Sequence, residues 1–349
     1  MTHSPLFSIV IPVYNGGDMF KRCLRAVRQS TFTDWELVVV DDGSSDGSDG
    51  LAEQSGARVL RTKGRLGPAA ARNLGAQAAR GHYLYFIDAD CELHPDTLTN
   101  IAQVFQADPG LDALFGSYDD APGAVNFIAQ YKNLFHHYVH QISSAAASTF
   151  WTGCGAIRRS QFLALGGFDL QRYRRPAIED IDLGFRLKQA GGRIRLAKHV
   201  QVKHLKAWTF VSLLKSDILD RGIPWTRLIL RDKAFTSDLN LQTHNRVSVV
   251  AVYGLLLALA VSLFQPQALL VALGLAALLL WLNLSLYRFF YQKRGLVFTL
   301  RVIPLHWLYY LYNAVSFGCG TLLYWHEQLK AEAIAPPNPL VDGIETDGN

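Results

Sequence analysis

Between Val247 and Tyr287 the sequence contains no Asp, Glu, Lys or Arg. A gap of that length excludes an ordinary solvated surface. It reads as two membrane-crossing segments, Val247–Phe264 and Ala268–Tyr287, joined by a tight turn at Gln265-Pro266-Gln267. Cysteine is sparse. Cys23, Cys91, Cys154 and Cys319 are scattered, with no CxxC pair and no zinc spacing. A disulfide framework and a zinc module are therefore excluded, and reduced thiols are expected. Met1–Phe7 is short and polar and lacks an h-region, so no cleavable signal peptide is expected and the first half is expected to stay in the cytosol. The Walker lysine arrangement and the GxGxxG fingerprint are both missing, which argues against a P-loop enzyme and a nicotinamide oxidoreductase. No tandem repeat of solenoid period is present.

The first half alternates two patterns. Phe7–Val13, Glu36–Val40 and Tyr83–Ile87 are apolar runs of strand length, with a shorter one at Arg58–Leu60. Between and after them lie helical stretches at Asp18–Gln29, Asp46–Ser55, Pro68–Arg80 and Pro95–Gln106. Continuous apolar strands separated by helices imply a parallel sheet covered on both faces. Further on, a strand is expected at Ala113–Tyr118, a helix at Val125–Gln141, a second helix at Glu179–Gln189 ended by Gly191-Gly192, and an extended run at Arg193–His204.

Polar residues follow the strands where ligands bind in such sheets. Asn15, the pair Asp41-Asp42 and the pair Asp88 and Asp90 each stand after the carboxyl end of a strand. Asp88 and Asp90, one residue apart, can share a divalent cation with oxygen ligands, Mg2+ or Mn2+, which would offset charge on a diphosphate. Asp41 and Asp42 can accept hydrogen bonds from a nucleotide's base or ribose, and Asp46 can cap the following helix. Lys63–Asn73 is glycine-rich and basic and leads into a helix, so Arg72 stands near a ready anion site. Glu179-Asp180 opens a helix. A carboxylate there can act as the base that takes a proton from an attacking hydroxyl, or simply favour the helix dipole.

Taken together, Ser8–Asn15 (SIVIPVYN), Asp41-Asp42-Gly43-Ser44, Ala71-Arg72-Asn73, Phe86–Asp90 (FIDAD) and Glu179–Arg186 (EDIDLGFR) resemble the motifs of family 2 glycosyltransferases, in the same order and at plausible spacing, over roughly the first 205 residues. The resemblance implies an α/β GT-A fold with a Rossmann-like mixed sheet, a nucleotide-diphosphate sugar donor (UDP by preference), a divalent metal, and inversion at the anomeric carbon. It places Pro12, Tyr14, Asn15, Asp41 and Asp42 around the nucleoside, Arg72 near it or the diphosphate, and Asp88 and Asp90 on ribose and metal. Asp180 is expected to be the base, with Glu179 orienting the acceptor or sharing that role. Trp151–Ala156 and Gly166–Asp169 resemble acceptor-side segments. His204, with His199 as competitor, is a candidate metal or diphosphate ligand.

The second half narrows the product. The net charge is +5, and the cations flank apolar runs, which points to a cytoplasmic membrane surface rather than nucleic acid. Residues 206–246 mix Trp208, Phe210 and Trp225 with Lys215, Arg221, Arg227 and Arg231, as amphipathic interfacial helices do. Alternatively, a helix there packs on the catalytic domain. A third span is expected at Val302–Trp325, or a re-entrant segment given Pro304 and His306, within a transmembrane region at 247–325. A polar, disordered tail follows at 326–349. Arg288, Lys293, Arg294 and Arg301 place their loop in the cytosol. The expected protein is therefore multi-pass in the cell (inner) membrane, with its catalytic domain on the cytoplasmic side and a membrane lipid or lipid-linked sugar as acceptor. A polyprenyl phosphate already carries an anionic nucleophile and needs no base, which makes it the second choice. Asp220–Trp225 matches only the tryptophan of the QxxRW motif of processive synthases, so polymer secretion is disfavoured. A tethered module without turnover is the remaining alternative.

Overall fold

The computed structural model describes residues 4–173, 175–232 and 243–334. Strand β1 (Phe7–Val13) is buried along its whole length, as an apolar β-branched run covered on both faces must be. Helix α1 (Gly17–Arg28) buries Phe20, Cys23, Leu24 and Val27 on one face. The larger of these side chains contribute roughly 2 kcal/mol each by leaving water. Next come β2 (Trp35–Asp41), α2 (Ser48–Gln54), β3 (Arg58–Arg61), α3 (Pro68–Ala78) and β4 (Tyr83–Ile87). These four strands run parallel in the order β3-β2-β1-β4.

Beyond these four strands the sheet becomes mixed, as the resemblance implies. Its remaining strands are β5 (Cys91–Leu93), β6 (Ala113–Tyr118), β7 (Ala146–Ala147), β8 (Cys154–Arg158) and β9 (Ile194–His204), interleaved with α4 (Thr97–Ala107), α5 (Phe127–Ile142), α6 (Arg159–Ala164) and α7 (Glu179–Gln189). Strand β8 runs antiparallel to both β4 and β6, β6 runs parallel to β9, and β5 and β7 pair antiparallel with β9. The sheet is thus mixed. The short strands β5 and β7 and helix α6 carry too few residues to show a period.

This topology gathers the site. Val13 pairs with Asp41, so β1 and β2 end at one edge. Ile87 lies opposite Cys154, which brings the loop before β8 beside Asp88. Cys91 lies opposite His204, which brings Asp90 beside that histidine.

The second half begins with α8 (Phe210–Lys215), started by a Thr209–Ser212 capping box. A π-helical turn (Ser216–Gly222) follows, then α9 (Ile223–Asp232). Trp225 and Leu228 of α9 pack with Ile178 and Phe185 of the α7 region. Thr226 of the same helix approaches Gly320 so closely that a Cβ there would lie 2.6 Å away. The segment therefore joins the catalytic domain to the last helix; residues 233–242, at its expected end, lie outside the described residues.

Helices α10 (Thr243–Ser262), α11 (Ala268–Leu282) and α12 (Leu284–Ile334) complete the chain. Among the described residues, α10 alone is long and apolar enough to cross a bilayer. Helices α11 and α12 qualify only as a pair bent by 65°, and α12 itself breaks at Gly295, where φ is 79°. Length and composition thus support one span, or two with the bent pair, below the three expected. Helix α12 also runs on through Ile334, past the expected start of the tail at 326; the rest of that tail lies outside the described residues.

Candidate active site

Two loops meet at the carboxyl ends of β1 and β2. Asn15 adopts a left-handed conformation, φ 49°. Its side-chain oxygen accepts from Ser45 N at 2.8 Å, and its own N–H donates to Ser44 Oγ at 2.9 Å. Asn15 thereby stitches the end of β1 to the end of β2. Asp41 accepts from Ser44 N at 3.1 Å. Asp42 spends both oxygens on the glycine-rich loop, accepting from Leu66 N, Gly67 N and Thr62 Oγ1. Its position is that of a loop anchor, whereas Tyr14 stays 42% exposed with the Arg65 guanidinium 4.1 Å over its ring. Pro12 is buried inside β1. Asp46 accepts from the first backbone N–H of the helix that follows it, Ser48 N at 3.0 Å, and from the first of α1, Gly17 N at 3.0 Å, so it caps both helix starts. With the Ser48 hydroxyl donating to it as well, Asp46 ties α1 to α2.

Arg72 is the centre of the ionic set. It is buried on α3, and it donates to Asp88 Oδ1 at 2.6 Å and to Glu179 Oε1 at 3.1 Å. A buried guanidinium needs such partners. Asp88 is therefore held by Arg72. It stands outside the metal-competent cluster of Asp90, Cys91 and His204, whose ligand atoms lie within 4.8 Å of one another. The structure thus groups Asp90, not Asp88, with the histidine expected as a ligand. Cys91 is fully buried, and burial followed by the charge of Asp90 pushes its thiol far up, so it stays protonated. That leaves Asp90 and His204.

His204 Nε2 lies 3.4 Å from Asp90 Oδ2, close to the roughly 3 Å between adjacent ligands of an octahedral ion. Burial alone would raise the Asp90 carboxyl, but His204 and Lys206 hold it below the usual range. The other ring nitrogen, Nδ1, is 2.6 Å from Asn133 Oδ1. When Nδ1 carries the proton and donates it there, Nε2 keeps its lone pair for a metal. The ring also stacks on Tyr118 at 4.3 Å. His199 is exposed in the middle of β9, so His204 is the histidine brought to the carboxylate. No sequence signal marked Asn133, a helix residue distant in the chain.

Asp180 sits half-buried in the first turn of α7. Its Oδ2 accepts from Thr152 N at 3.1 Å and Thr152 Oγ1 at 3.3 Å, and its Oδ1 accepts from Ile181 N at 2.8 Å. Burial, then the neighbouring Glu179 charge, pushes this carboxyl up to about 6. The contact with Thr152 depends on Gly184, since a Cβ there would meet Phe150 N at 2.3 Å. Glu179 points the other way, into Arg72 and Ala177 N. It acts as part of the ionic set and leaves Asp180 as the carboxylate placed for a base.

Residues 8–166 match the family model for glycosyl transferase family 2. Over 247 residues the chain is 28% identical to an uncharacterized protein of Mycobacterium tuberculosis, covering 65% of this chain and 76% of that protein. It is 30% identical over 132 residues to the glycosyltransferase GlyG of Streptococcus pneumoniae, covering 36% of this chain but 44% of GlyG, less than half its length. Among solved structures, the mannosyltransferase PcManGT of Pyrobaculum calidifontis, in complex with GDP-Man and Mn2+, shares the fold at a TM-score of 0.54, with 17% identity over 90% of this chain and 88% of that one. Residues 8–166 thus resemble glycosyl transferase family 2, and the mixed sheet with its acidic loops gathered at one edge follows the fold of that solved mannosyltransferase.

Proposed function

We propose that the protein moves a sugar from a nucleoside-diphosphate sugar, UDP-linked by preference, to a hydroxyl of a membrane lipid or lipid-linked sugar, with inversion. The observation that carries this is Asp180. A half-buried carboxyl raised to about 6 by burial and by Glu179 can still be ionised at neutral pH, yet takes up a proton more readily than an ordinary aspartate. Asp180 takes the proton of the acceptor hydroxyl, whose oxygen forms the new bond to the anomeric carbon. The old bond breaks, and its electron pair leaves with the nucleoside diphosphate. Thr152 holds Asp180 in place through two hydrogen bonds. Arg72 keeps Asp88 and Glu179 fixed beside it.

The donor class is supported by the family match and by the GDP-Man complex of the structural neighbour. Asp90 and His204 Nε2 would hold the divalent cation, Mg2+ or Mn2+; the carboxylate suits either, and the imidazole nitrogen favours the softer Mn2+. A cation held there would offset negative charge on a diphosphate leaving group. Membrane anchoring, with the catalytic domain on the cytoplasmic side, rests on the apolar helix α10 and the basic residues that follow α11.

The test is a donor screen. Protein in detergent, total lipid extract and Mg2+ or Mn2+ are incubated with labelled UDP- and GDP-sugars. A lipid-phase product stable to mild acid is expected. A mild-acid-labile product would replace this reading with transfer to a polyprenyl phosphate. No lipid label with any donor would overturn it.

A further inference from the structure

A cavity of about 510 Å3 lies where the π-helical turn and α9 meet α10 and α12. Part of its wall is apolar, formed by Val249 of α10 with Tyr309, Ala314 and Phe317 of α12. Lys132, Arg221 and Arg246 line it too, against a single carboxylate, Asp217. That carboxylate is already engaged: one oxygen pairs with Lys132 and the other accepts from Tyr312 OH at 2.7 Å. Arg221 makes no hydrogen bond or ion pair among the described residues. A partly buried guanidinium left in that state favours an incoming anion.

The cavity adjoins the catalytic cleft. Trp225 lines it and also packs with Ile178 and Phe185 around α7. The charge of Arg221 is felt at Asp180. An amphiphile lodged here would have its head at Arg221, next to the α7 region that Trp225 packs against, and its chain between the apolar helices.

We propose that this cavity seats the acceptor, a lipid bearing a phosphate or diphosphate next to its reactive hydroxyl, with Arg221 and Arg246 on the phosphate and the chain against α10 and α12. The inference rests on the lipid-acceptor reading above and adds the phosphorylated head. A neutral lipid would leave the two arginines without an anion.

Full-length protein in detergent, titrated by thermophoresis with farnesyl diphosphate, farnesol and inorganic diphosphate, tests it. Farnesyl diphosphate should bind at least about tenfold more tightly than either of the others, the order expected when a charged head and an apolar chain both contribute. Arg221→Gln should weaken farnesyl diphosphate about tenfold and leave farnesol unchanged. Ala314→Phe, which fills the apolar wall, should weaken both. Far-UV spectra and gel-filtration profiles confirm that the variants are folded. Equal binding of diphosphate lipid and alcohol would overturn the proposal, as would Arg221→Gln binding within twofold of wild type. Lipid labelling by both variants at the wild-type rate would overturn the cavity alone. A wild type that labels no lipid would overturn the lipid-acceptor reading with it.

Discussion

Asn283, buried among the helices of the second half, closes its hydrogen bonds within that half. Its amide donates to Ser248 Oγ at 3.2 Å and to Leu279 O at 2.9 Å, and its oxygen accepts from Tyr310 OH at 2.6 Å. Asp180 and His204, in the first half, are held from behind. Thr152 and Ile181 fix one, and Asn133 and the Tyr118 ring fix the other. Each retains an atom able to accept something more. The difference follows from solvent. Between apolar helices an unsatisfied polar group has no water to fall back on. In a cleft, a group with spare capacity is what recognises a ligand.

Three changes would break or sharpen that contrast. The largest effect is expected at Asp180. Asp180→Asn should lower transfer about a thousandfold while donor binding is kept, since general-base contributions are of that order. Residual transfer above a tenth of wild type would remove Asp180 from the role. The same carboxyl sets a pH dependence. Its acid form, which cannot accept the proton, dominates below about 6. The kcat/KM for transfer should therefore climb about tenfold per pH unit up to about 6 and then level off. A flat profile between pH 5 and 8 would contradict the assignment.

A smaller effect is expected at the support behind the metal site. Asn133→Leu should weaken Mn2+ binding roughly 10- to 100-fold by freeing the His204 ring, as loss of such supports does elsewhere. Asn133→Asp, which can still accept from Nδ1, should recover much of the affinity. Calorimetric titration with Mn2+ reads both, and equal loss in the two variants would point to damaged packing instead.

The smallest effect lies in the helical half. Asn283→Leu should cost about 1 kcal/mol, the usual net scale for such hydrogen bonds. It should lower the unfolding temperature in detergent slightly and leave nucleotide binding unmoved. Lost donor binding would mean that the two halves are not separable.

Much of the fold was legible because its signals are local. Phe7–Val13, Tyr83–Ile87 and Ala113–Tyr118 form strands at the expected bounds, since each is a continuous apolar run. The helix at Glu179–Gln189 ends as Gly191-Gly192 announces. Strands β5 and β7 were not legible, because two or three residues carry no period. Helix α6 has the same problem with six. The helical half differed in number: Val302–Trp325 reads as a span by composition, yet belongs to a long helix that breaks at Gly295 and meets α11 at a sharp bend.

By itself the sequence determined which carboxylates follow strand ends and where the chain becomes apolar. Carboxylates after strand ends and an uncharged run both declare themselves without a partner in view. Only the tertiary structure decided how the acids divide their work. Arg72 takes Asp88 and Glu179, the glycine-rich loop takes both oxygens of Asp42, and Asp90 is left to His204 because β5 pairs with β9. Those choices depend on distances between residues far apart in the chain, and a carboxylate's role is set by which cation or N–H reaches it first.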